Sequence, residues 1–78
     1  MKWSDKPLRY ERHALKRMQE RGVSREQVAK TVRRPSANRP ARGQGAKRLE
    51  RKMSARKRLA VIVEEEKDFI RVVSVFWL

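Results

Sequence analysis

The residues best placed to do chemistry are His13, Arg17 and Arg21, in the stretch His13-Ala14-Leu15-Lys16-Arg17-Met18-Gln19-Glu20-Arg21-Gly22-Val23-Ser24. A helix turns about 100° per residue, so positions four apart share one edge. One imidazole and two guanidinium groups then border an apolar stripe of Ala14, Leu15 and Met18. Such a set suits a phosphodiester. RNA carries its own nucleophile, the ribose 2′-hydroxyl, so metal-free cleavage needs only proton transfer and stabilisation of charge on the phosphate. His13, near a helix start and beside Arg12 and Arg17, is the expected base. Arg17 and Arg21 would hold the phosphate. A second proton-transfer group does not stand out; Tyr10 and Ser74 are the candidates, with Arg51 as added charge stabilisation. Each has a plainer role open to it: a capping histidine, arginines paired with Glu20 or solvated, a serine resting harmlessly in a sheet.

Composition points the same way. Seventy-eight residues make one small domain, 1–78, with no room for a second core. Lys and Arg number 22 against nine Asp and Glu, a net charge of +13. That field gathers polyanions and gives salt-sensitive binding to phosphate backbones, so nucleic acid, RNA above all, is the expected partner. The absence of cysteine excludes disulfides, thiolate catalysis and Cys-ligated zinc. Asp5, Glu11, Glu20 and Glu26 are scattered, and Glu64-Glu65-Glu66 would alternate in direction along an extended segment, a poor cage for Mg²⁺. Neither metal nor cofactor is expected. No apolar run nears the roughly 20 residues that span a bilayer, and residues 1–6 lack the apolar centre of a signal peptide. The expectation is a cytoplasmic protein with no membrane partner.

These residues need elements to position them. Residues 1–10 read as a lead-in. From about Glu11 the pattern is helical, and Gly22 suits the left-handed residue that ends a helix. Ser24 with Gln27 three residues on forms a capping box, Val23 and Val28 its hydrophobic staple, and Pro35 stops the second helix. The turn admits a helix-turn-helix reading, with residues 25–34 in a DNA groove, but strands rather than a third helix follow. Residues 35–46, with two prolines and two glycines, read as a basic loop containing at most a short edge strand. Leu49, Arg51 and Met53 alternate with charged residues, a half-buried strand. Leu59–Val63 is a continuous apolar run, expected to be a central strand covered on both faces, and Phe69–Leu78 is the last strand of a hairpin. The predicted class is α+β: two N-terminal helices on one face of a three- to four-stranded antiparallel sheet. Burial on helix 1 is thin, and a homodimer or ordering on RNA would relieve it.

Between Arg33 and Arg58 stand eleven basic residues and one acid, Glu50. The bases are Arg33, Arg34, Arg39, Arg42, Lys47, Arg48, Arg51, Lys52, Arg56, Lys57 and Arg58. Guanidinium groups grip phosphates bidentately and stack on bases, so this block is the expected RNA-binding region. Tyr10, Trp3 and Trp77 are candidate base-stacking rings, although Trp77 alternates with Val73 and Val75, which favours the core.

The run Tyr10-x-x-His13-Ala14-x-x-Arg17-Met18-x-x-Arg21-Gly22-Val23-Ser24, followed by Val28, Val32 and Pro35, resembles an uncharacterised bacterial small-domain family. Its closing strand is matched by Val73-Ser74-Val75-Phe76, and the strand before it by Leu59–Val63. That family is similar in layout to the RelE and BrnT ribonuclease toxins of toxin–antitoxin systems. The resemblance implies a RelE/barnase-like sheet, RNA as substrate (often ribosome-bound messenger RNA) and an acidic antitoxin as partner. By matching position it makes His13, Arg17, Arg21 and Ser74 the catalytic cluster of a toxin-type, metal-independent endoribonuclease. The alternative on the same scaffold is a non-catalytic RNA- or ribosome-binding module. Two features depart from the family pattern: no helix follows the last strand, and the Arg33–Arg58 block is unusually basic.

Overall fold

A computed structural model describes residues 4–43 and 45–78; Trp3 lies outside the described residues. The elements run β1 (Leu8–Tyr10), α1 (Arg12–Arg21), α2 (Arg25–Arg33), β2 (Ala37–Pro40), β3 (Ala46–Ser54), β4 (Lys57–Glu65) and β5 (Ile70–Trp77). Helix α1 ends at Gly22, which adopts φ 64° and lets the Val23 amide close on the Met18 carbonyl. Helix α2 starts with the capping box: Gln27 N donates to Ser24 Oγ at 3.1 Å, and Ser24 N donates to Gln27 Oε1 at 2.9 Å. Val28, Thr31 and Val32 are buried and form the inward side of α2, while Arg25, Glu26 and Lys30 are exposed on its outer side.

The five strands form one mixed sheet in the order β1-β5-β4-β3-β2. Two expectations are corrected here. The sheet has five strands, because the lead-in contributes β1 and the basic loop contributes β2. It is also not purely antiparallel: β1 runs parallel to β5, with Leu8 opposite Ile70 and Tyr10 opposite Val72, while the other pairings are antiparallel. Beyond Tyr10 the outer edge of β5 has no strand partner among the described residues.

Both helices pack on one face, α1 over β5 and α2 over β3 and β4. Leu49, Val61 and Val75 align across three strands beneath them, joined by Leu59, Val63, Ile70 and Val72, all fully buried. Each such side chain contributes about 1.5–3 kcal/mol relative to exposure. From α1 the core takes only Ala14 and Met18; Leu15, expected in the stripe, is 38% exposed. Among the described residues the second face of the sheet carries no helix. There Ala60 is fully buried and Ile62 only half-buried, so Leu59–Val63 is central without being sandwiched between two helical layers.

Candidate nucleic-acid interface

Three of the four residues proposed for catalysis lie on α1, and the fourth lies across the sheet from them. His13 is exposed in the first turn. Arg17 is engaged by Glu20, with Nη1 2.6 Å from Oε1; that hydrogen bond and the Arg17 charge hold Glu20 below the usual carboxylate range. Arg21 Nη1 donates to the Val75 carbonyl on the partnerless edge of β5, and the Arg21 carbonyl accepts from Trp77 Nε1 at 2.8 Å. Arg21 thus serves an exposed strand edge. Ser74 stands opposite Ile62 in the register, on the face turned away from the helices. The geometry therefore does not bring the four together. Tyr10 packs against the core beneath the Arg25 guanidinium, 5.0 Å from its ring. Trp77 also packs against the core, with Lys57 Nζ 5.3 Å from its ring.

The eleven bases divide between the two sides. Arg33, Arg34 and Arg51 belong to the helix side. Arg33 donates to the Ser4 carbonyl at 3.0 Å and to that of Lys6, and Arg51 Nη1 donates to the Arg34 carbonyl at 2.6 Å. Lys47 is exposed at the start of β3, opposite Val63 and hence in the helix-side register. On the open side, Arg39 stands directly opposite Arg48, and Lys52 directly opposite Arg58. Arg42 lies in the β2–β3 hairpin, and Arg56 in the turn before β4. Like charges placed opposite each other cost stability.

Glu50, set among these bases, was not singled out by sequence reasoning. Its side chain is 3% exposed, yet it lies on the open side, opposite Ala60 in the register. Oε2 is 2.7 Å from Arg48 Nε and 3.3 Å from Arg39 Nε, and Oε1 is 3.5 Å from Arg58 Nη2. Its signal in the sequence was its isolation as the one acid in a basic block. Phe76 was missed as well. It occupies the Glu50–Ala60 row, and with Pro40, Ala41, Arg42, Arg48 and Ile62 it lines a concave pocket of about 360 Å³. The far corner of this face is internally neutralised: Arg71 is 3.3 Å from Glu64, 3.6 Å from Glu11 and 3.8 Å from Glu66.

Among the described residues no three His, Asp or Glu side chains converge to hold a metal ion, and no helix is long and apolar enough to cross a membrane. Residues 10–77 match the family described as a domain of unknown function, DUF4258, and the chain belongs to that family. No curated protein and no solved structure matches the chain. Nothing in these comparisons relates it to RelE or BrnT.

Proposed function

We propose that this protein binds single-stranded RNA across the open face of its sheet. The observation that carries the reading is the pocket where Arg42 and Arg48 meet Phe76 and Ile62. A guanidinium beside a half-buried aromatic ring offers one strand both of its needs, charge for the phosphate and a flat apolar surface for the unpaired base. A duplex hides its bases and gains only the charge term. Cleavage by the His13–Ser74 cluster would require the two to converge on one phosphate, and they lie on opposite sides of the sheet, whereas binding requires only this face; the binding reading is the better supported. The resemblance to RelE and BrnT toxins makes messenger RNA the first RNA to test and a small acidic protein its natural competitor.

The test measures affinity for a labelled U-rich oligonucleotide by fluorescence anisotropy, with Phe76→Ala beside the parent chain. Losing a stacked base costs about 1–3 kcal/mol, roughly 5- to 150-fold in affinity. RNA incubated with the protein in EDTA is expected to stay intact. Unchanged affinity in Phe76→Ala, or equal affinity for duplex DNA, would remove the reading. Cleavage leaving 2′,3′-cyclic ends and abolished by His13→Ala would establish the endoribonuclease instead.

A further inference from the structure

The open face carries a charge arrangement that general attraction to RNA does not call for. A carboxylate in a largely dehydrated position needs compensation, and one well-placed guanidinium supplies it. Glu50 has three arginines around it, from three neighbouring strands: Arg39 on β2, Arg48 on β3 and Arg58 on β4. Arg39 and Arg48 both approach Oε2 through Nε, so the terminal fork of each, with four N–H donors, makes no hydrogen bond among the described residues. Arg48 Nε and Glu50 Oε2 are themselves buried and lack hydrogen-bond geometry despite their closeness. The contact is one of charge, and it leaves the outward donors uncommitted.

Folding alone would be served as well by less. Ala37 and Ala60 flank Glu50 in the register, and an apolar residue between them would pack without any buried charge. The Arg39–Arg48 and Lys52–Arg58 oppositions would also cost less as neutral pairs. What the arrangement provides is order. Three guanidinium groups gathered around one carboxylate are kept together on the open face, where their remaining donors can grip an anionic oxygen pair.

We propose that Arg39, Arg48 and Arg58 form a seat for a single phosphodiester group of RNA, and that Glu50 is the positioning residue that holds them in place. The seat adjoins the Phe76 pocket through Arg48, which lines it. A nucleotide whose base lies on Phe76 would thereby have its phosphate over Arg48. This rests on the RNA reading above, and it makes a prediction of opposite sign to charge alone. Removing an acid raises the net charge by one, from +13 to +14, which by itself tightens binding to a polyanion.

The experiment compares Glu50→Gln, Arg48→Lys and the helix-side control Arg34→Lys with the parent chain, using a U-rich RNA oligonucleotide and following melting by circular dichroism. Glu50→Gln is expected to bind about tenfold more weakly despite its added charge, because two or three arginines lose their anchor. Arg48→Lys keeps the charge but loses the fork and Nε, and should weaken binding to a similar degree; Arg34→Lys should not. A carboxylate with a merely structural role would lower the melting temperature while the folded variant bound as tightly as the parent or tighter, and that result overturns the seat. Should Glu50→Gln fail to fold, Arg48→Lys decides: parent-like affinity overturns the proposal. If the parent chain binds no RNA, the RNA reading falls and takes the seat with it. If the parent binds and the variants are unchanged, only the seat falls.

Discussion

The proposed RNA binding carries a salt dependence set by the sidedness of the basic residues. Five from the block between Arg33 and Arg58 stand on or beside the open face, namely Arg39, Arg42, Arg48, Lys52 and Arg58, while Arg71 on the same face is neutralised by its carboxylates. Each phosphate neutralised on a single strand contributes about −0.7 to the slope of log affinity against log salt, so full engagement gives a slope of about −3.5. Raising KCl from about 50 to about 200 mM should then weaken binding roughly 100-fold. If the whole net charge of +13 acted indiscriminately, the slope would be far steeper and no one arginine would matter more than another. The decisive perturbation is a pair of charge-removing variants on opposite sides of the sheet. Arg42→Gln should make the slope shallower by about 0.7, and Arg34→Gln should leave it unchanged. Anisotropy titrations at four or five salt concentrations resolve that difference. An equal loss in both variants, or a loss confined to Arg34→Gln, would refute the assignment of the open face.

Three further predictions concern the scaffold. Ser24→Ala removes the acceptor of the α2 capping box and should cost about 1 kcal/mol, a fall of roughly 4–8 °C in melting temperature; a parent-like melt would show that the cap is dispensable. Arg21→Met strips the Val75 carbonyl of its donor at the free edge of β5, with an expected loss of about 1 kcal/mol and a greater tendency to associate, read by sedimentation. Tyr10, the chain's single tyrosine, is raised above 10.0 by burial, against the lowering influence of Arg25 and Arg33. The folded state therefore holds the phenolic proton more tightly than the unfolded chain, and stability should be intact below pH 10 and decline as pH rises beyond it. Absorbance at the tyrosinate band checks this, and a midpoint at or below 10.0 would contradict it.

The helical hairpin was legible because its signals are local: Gly22 for the left-handed turn, Ser24 with Gln27 for the cap, and the spacing of Val28 and Val32 for the buried side. The strands β3, β4 and β5 were legible from alternation and apolar runs. β1 was not, since Leu8-Arg9-Tyr10 is too short to show a period and its parallel partner lies some sixty residues away. That Ser74 stands apart from His13 was hidden for a more instructive reason. Ile62 pairs with Ser74 but Val63 pairs with Val72, leaving Val73 as an extra residue in β5. Ile70 and Val72 are buried before this bulge, and Val75 after it, so the inward positions change parity midway. Period-two reasoning cannot see such a shift, and it decides whether Ser74 and Phe76 share a face with His13 or with Arg48. Glu50 was hidden differently: composition showed an isolated acid, and only the register shows which three arginines surround it.

The strand made last in the domain is not at the margin of the sheet. β5 lies between β1 and β4, so it receives the earliest strand on one side and its own hairpin partner on the other. During synthesis β1 and α1 find their main packing surface only when residues 70–77 have emerged, because both dock on β5. A nascent chain halted ahead of Ile70 would hold its cationic segments exposed and its interior unclosed, close to the ribosome's own RNA. Completion of the sheet therefore waits on the eight residues of β5, Ile70–Trp77.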